Sequence, residues 1–167
     1  TEKEIFVWLD ALERGSLFHE VFQKFIDATK EKKSDDPKKD RELILSILDD
    51  VVNRYKEDIP PPSETIFQNE YLQLKRDVDV FLKITGELKT KPVECEAVFG
   101  DDVKNAVTVP LGSGKSILLR GKIDRIDKAG PSEYHVWDYK TGSSYPYVIN
   151  KYYNSKNIAL VKHSDLF

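Results

Sequence analysis

The sequence predicts an α+β or mixed α/β fold, with helices first and a mainly antiparallel sheet after them. Three observations lead there. Apolar residues recur every three or four positions up to about residue 90, which is the period of a helix. From Pro92 the period drops to two, that of a strand. The candidate strands that follow are joined by short, turn-rich segments, the mark of hairpins. Helices segregated from strands in this way do not make a regular βαβ series.

In the first helical stretch, Ile5, Leu9, Leu12, Phe18, Val21, Phe22, Phe25 and Ile26 lie on one stripe. Gly15-Ser16 interrupts it, so a fresh helix is expected from about Leu17 to Thr29, capped by Ser16. Lys30 to Asp40 has no apolar residue apart from Pro37 and reads as an exposed loop. A second helix from Arg41 buries Leu43, Ile44, Ile47, Leu48, Val51, Val52 and Tyr55, and the run Pro60-Pro61-Pro62 stops it. Ser63 caps a third helix, which reaches Glu87 with Gly86 near its end.

Val93, Cys95, Ala97 and Phe99 alternate with Glu94, Glu96 and Val98, predicting a strand. Further strands are expected at Val107–Leu111, Ser116–Asp127 and Tyr134–Lys140. The expected organisation is one domain over residues 1–167: a helical part to about 90, a sheet core over about 91–142 and a tail over 143–167 that reads as cut short.

At 167 residues such a chain buries roughly 70% of its unfolded surface and needs no disulfide or metal staple. With 40% hydrophobic and 33% charged residues, it is expected to be globular, and disorder and membrane spanning are set aside. The single Cys95 excludes an internal disulfide, a CxxC zinc site and a four-cysteine iron–sulfur cluster within the chain, and fits a reducing, cytoplasmic setting. Charge is unevenly distributed. Residues 1–111 hold 17 Lys/Arg against 24 Asp/Glu, and residues 112–167 hold nine against five. The basic part also carries Tyr145, Tyr147, Tyr152 and Tyr153 among Lys151, Lys156 and Lys162, a mixture suited to phosphates and stacked bases or, equally, to a solvated loop.

Two motifs invite chemistry. Gly112-Ser113-Gly114-Lys115-Ser116 resembles a phosphate loop, but Val109 stands where the first glycine must be, and a strand follows where a helix is required. It reads as a hairpin turn. The second motif pairs Asp124 with Asp138 and Lys140. On one strand Asp138 and Lys140 share a face while Trp137 and Tyr139 take the other. A hairpin centred near Gly130 and Pro131 sets Asp124 against Trp137 or Asp138, and in the second register two carboxylates face each other. A divalent cation relieves that conflict, since carboxylate oxygens are its preferred ligands. Plain ion pairs of Asp124, Asp127 and Asp138 with Lys122, Arg125, Lys128 or Lys140 explain the same residues without a metal. His19, near a helix start, is either a third ligand or a packing residue.

Gly15-Ser16-Leu17-Phe18-His19, Glu96-Ala97-Val98-Phe99-Gly100, Gly121-Lys122-Ile123-Asp124-Arg125-Ile126-Asp127 and Asp138-Tyr139-Lys140-Thr141-Gly142 resemble, in order and spacing, the successive motifs of the PD-(D/E)XK nuclease superfamily. The branch they resemble most is the RecB-like exonucleases, and among these the nuclease domain of AddB-type helicase–nuclease subunits. The resemblance implies a restriction-endonuclease-like core and a metal-dependent DNA nuclease. It also implies metal ligation by His19, Asp124, Asp138 and the Tyr139 backbone carbonyl, with Asp124, Asp138 and Lys140 as the catalytic set and Glu96 as a site-organising acid. Magnesium is the expected ion, with manganese as a substitute.

Lys115, Arg120, Lys122 and Arg125 are expected to contact the DNA backbone. The expected partners are DNA, single-stranded or as duplex ends, and a helicase domain or subunit; no membrane partner is expected. Two departures from the family pattern stand out. No glutamine follows Gly142, where the family carries a Gln and a Tyr on a helix that His163 to Phe167 would approach, and the cysteines of an iron–sulfur cluster are absent. The alternative is a catalytically silent DNA-binding or scaffolding domain of the same fold.

Overall fold

The structure, a computed structural model, describes residues 7–31, 36–100, 106–140 and 159–162. Its elements run α1 (Ala11–Thr29), α2 (Pro37–Asp58), α3 (Glu64–Glu87), β1 (Lys91–Phe99), β2 (Val107–Gly112), β3 (Lys115–Leu119), β4 (Gly121–Lys128), β5 (Tyr134–Lys140) and β6 (Ala159–Lys162). The α+β class and the mainly antiparallel sheet are as expected. The chain divides into two compact units, one holding the three helices together with Tyr139, Lys140 and Ala159–Val161, the other centred on Thr90–Asp138.

In the helical unit, α1 starts earlier than its periodicity predicts. Asp10 caps it and exchanges backbone–side-chain hydrogen bonds with Glu13, a capping box that fixes the start ahead of Gly15. The helix therefore runs through Gly15-Ser16. Ser16 does not cap a new helix: its hydroxyl donates back to the Leu12 carbonyl. Likewise α2 begins at Pro37 instead of Arg41, because Pro37 occupies the first turn, where its missing N–H is harmless, and Asp36 accepts from the Lys38 N–H. Ser63 caps α3 as expected.

The core of this unit is aromatic. Leu17, Phe18, Val21 and Phe22 of α1, Ile44 and Leu48 of α2, and Leu74, Val78 and Phe81 of α3 are buried. Phe22 stacks on Phe81 with centroids 3.8 Å apart, and Tyr139 meets both rings edge-on at 5.2 and 5.9 Å. Each such ring contributes roughly 1.5–3 kcal/mol through burial, so this stack outweighs the exposed ion pairs around it. Among the described residues of this unit, one charged group is buried: Asp77, held by Arg14, which also pairs with Glu70.

The second unit contains most of the four-stranded sheet of order β1-β4-β5-β6 and a separate hairpin, β2-β3. Strands β1 and β5 both run antiparallel to β4, which lies between them. The segment expected as one strand, Ser116–Asp127, is two: β3 pairs with β2, and after Arg120 β4 pairs with β1 and β5. Gly100 and Gly121 permit the changeover. A Cβ on Gly100, at φ +80°, would lie 2.4 Å from the Leu119 carbonyl oxygen, and one on Gly121 would lie 2.9 Å from the Phe99 ring.

Gly112 pairs with Lys115 across the two-residue turn Ser113-Gly114, where both residues have positive φ, as a tight hairpin requires. The glycine-rich segment is thus a hairpin turn, as its pattern predicts. The short strand β6 is not foreseen by the sequence, which places that stretch in the tail. Tyr145, Tyr147, Tyr152, Tyr153, Lys151, Lys156, Gly142 and His163 lie outside the described residues.

Candidate metal centre

Strand β4 carries the site because both its neighbours bring acids to it. Cys95 opposite Arg125 and Ala97 opposite Ile123 bracket Glu96 across from Asp124. On the other side the register runs from Lys128–Tyr134 to Arg125–Trp137, and the next residues on the two strands are Asp124 and Asp138. The hairpin thus follows the one of the two expected registers whose continuation, one step beyond the last paired residues, sets Asp124 opposite Asp138. The result is a row of carboxyl-bearing positions across three strands, Glu96, Asp124 and Asp138, all within the sheet unit.

A carboxylate oxygen of Glu96 and one of Asp124 lie within 4.8 Å of each other. Asp124 is 9% exposed, and the Glu96 side chain 11%. Two poorly hydrated like charges in facing positions oppose the fold. Part of that opposition is met by Lys122, whose ammonium pairs with Glu96. Glu96 also has a backbone φ of 55°, in the left-handed region. For a residue with a Cβ this costs roughly 1–2 kcal/mol, so the sheet holds Glu96 in a conformation that its own backbone disfavours. Strain beside clustered acids is the arrangement expected of a site, not of a surface strand. The donor set consists of carboxylate oxygens close enough to share one ion, and this fits a hard divalent cation.

Along β5, Trp137 and Tyr139 are buried, whereas Asp138 and Lys140 are intermediate, the alternation the sequence predicts. His19 lies on α1, half-buried, its ring edge-on to Tyr139 at 5.7 Å.

Of the four basic residues expected to reach DNA, Lys115, Arg120 and Lys122 are exposed. Arg125 is not. It is 1% exposed, and its guanidinium forks onto Asp127 at 2.5 and 2.7 Å. The expectation for Arg125 is corrected: its face of β4 is buried at Arg125 and Asp127, and the arginine turns along the strand to the acid two residues on. Thr90 donates to the same Asp127 at 2.5 Å. The signal for this network is present in the sequence, since Arg125 and Asp127 fall on the face opposite Asp124 by simple alternation.

A helical unit with a buried aromatic stack and an antiparallel sheet bearing an acidic row ahead of an Asp-x-Lys strand define a nuclease-type α/β protein. The model of the PD-(D/E)XK nuclease superfamily matches residues 7–160, and the chain belongs to that superfamily. It is 34% identical over 166 residues to a subunit of the ATP-dependent helicase/deoxyribonuclease of Clostridium perfringens, an alignment covering 90% of this chain and 14% of that protein. The protein of the same description from Desulfitobacterium hafniense is 28% identical over 170 residues, covering 90% of this chain and 13% of the relative. The chain thus spans about one-seventh of the length of these relatives. Among the described residues, no helix is long and apolar enough to cross a membrane.

Proposed function

We propose that the chain is a magnesium-dependent deoxyribonuclease domain that hydrolyses phosphodiester bonds, acting as an exonuclease within a larger cytoplasmic helicase–nuclease. The observation that carries this reading is the facing pair Glu96 and Asp124, next to the strand that bears Asp138 and Lys140. Membership of the superfamily and likeness to helicase/deoxyribonuclease subunits support it.

Asp124 and Asp138, with the Tyr139 backbone carbonyl and the His19 imidazole, are the ligands in this reading. Magnesium, or manganese in its place, supplies Lewis acidity there, lowering the pKa of an attacking water and offsetting charge on the phosphate. Glu96 adds negative charge beside Asp124 and, through its pair with Lys122, holds an ammonium at the rim of the site. Lys140, on the same face of β5 as Asp138, directs its ammonium toward the reacting phosphate and stabilises the charge that grows on its oxygens. Lys115, Arg120 and Lys122 bind the flanking backbone by charge alone, so affinity falls with salt and depends little on sequence.

The test is digestion of linear DNA by the purified chain. Digestion with magnesium or manganese that EDTA abolishes, and that Lys140→Ala loses while keeping its circular dichroism, is the expected result. No manganese binding by the wild type would favour a catalytically silent DNA-binding or scaffolding domain of the same fold instead.

A further inference from the structure

We infer that the buried Arg125–Asp127 pair is a positioning device that fixes Asp124 for metal binding from the opposite face of β4. This rests on the proposed metal reading of the acidic row. Arg125 follows Asp124 directly in the chain, so the orientation of one side chain constrains that of the other through a shared peptide unit.

Arg125 reaches along the strand to Asp127 through Nε–Oδ1 at 2.5 Å and a terminal guanidinium nitrogen–Oδ2 at 2.7 Å, a two-point fork that sets direction as well as distance. Thr90, just before β1, donates to the same carboxylate at 2.5 Å and ties that end of the pair to the chain leading into the strand that carries Glu96. Across the sheet, Arg125 stands between Cys95 and Trp137. These residues precede Glu96 and Asp138, so the network lies directly behind the acidic row, one residue out of phase with it on all three strands.

Stability alone does not explain such a pair. Arg125 is 1% and Asp127 0% exposed, and two charges taken this far from water recover little more than their desolvation penalty; an apolar pair of similar volume often does as well or better. What the fork adds is a fixed geometry, the role that residues behind a metal ligand commonly serve. The pair is also internally neutral, so it orients Asp124 without placing a net positive charge beside a cation site.

Manganese affinity measured by calorimetry on the full chain tests this, with thermal unfolding in EDTA as the control for folding. The double variant Arg125→Met/Asp127→Leu keeps the net charge and loses the fork. It is expected to unfold within a few degrees of the wild type and to bind manganese roughly 10–100-fold more weakly. Arg125→Lys retains the charge but offers no fork, so it is expected to stay folded and to show a loss in the same direction; it carries the test if the double variant does not fold. Wild-type affinity in a folded Arg125→Lys or double variant would overturn the positioning role while leaving the metal site standing. Failure of the wild type itself to bind manganese would overturn the metal reading and this inference with it.

Discussion

Glu96 and Asp124 face each other across two antiparallel strands with carboxylate oxygens within 4.8 Å, and Glu96 adopts a left-handed backbone to stand there. Strain and like-charge repulsion coincide at one point, and in the proposed reading a bound cation would offset the repulsion.

Replacing Asp124 by Asn should therefore stabilise the protein in EDTA. Removing one of two facing like charges is worth up to about 1 kcal/mol, or roughly 2–4 °C in Tm for a domain of this size. Millimolar manganese should raise the Tm of the wild type through binding to the folded state and leave Asp124→Asn unmoved. Thermal unfolding with and without the ion measures both effects, and a destabilised Asn variant in EDTA would contradict the repulsion.

Lys140→Ala separates chemistry from binding. In the proposed reading Lys140 stands beside the phosphate and outside the ligand set, so kcat should fall by about 10²–10⁴ while manganese affinity by calorimetry stays within about threefold. Equal losses in both would make Lys140 a support of the ligands instead.

Two glycines should respond in opposite directions to alanine. Gly100 has φ +80° and no room for a Cβ against the Leu119 backbone, so Gly100→Ala should lose at least about 2 kcal/mol in denaturant unfolding. Gly86, in α3 with nothing within 4 Å of an added Cβ, should gain about 0.5–1 kcal/mol.

The alkaline limit of stability should include Tyr71. Burial, together with its hydrogen bond to the Asp49 carboxylate, raises the phenol to about 12 from an ordinary 10. The folded state therefore holds a proton that the unfolded state releases between these values. The stability it provides is complete below pH 10 and is lost as the pH rises through about 12. Urea unfolding across that window should show a downward slope that Tyr71→Phe reduces.

Much of this architecture is legible in the sequence, because burial imposes period on pattern. The stripe Leu17, Phe18, Val21, Phe22, Phe25 and the alternation of Trp137 and Tyr139 with Asp138 and Lys140 come directly from helix and strand geometry. The hairpin centre near Gly130 narrows the partner of Asp124 to Trp137 or Asp138, and the pairing of Arg125 with Trp137 decides between them. Helix starts are less legible, because the Asp10–Glu13 capping box and Asp36-Pro37 outrank apolar spacing locally, and a helix tolerates Gly15 once it is nucleated. The break at Arg120 is hidden, since no proline or turn pair separates β3 from β4 and only pairing partners distinguish them. Arg125 misleads for a related reason: a basic residue beside an acidic motif suggests phosphate, whereas its face of β4 is buried at that point and holds Asp127 as its partner.

A crystal of the chain soaked in manganese and measured for anomalous scattering tests the central claim most directly. The account predicts one strong peak bound by carboxylate oxygens of both Asp124 and Asp138, at about 2.0–2.3 Å, bordering Glu96. A peak elsewhere, or none with both carboxylates ordered and intact, would contradict it.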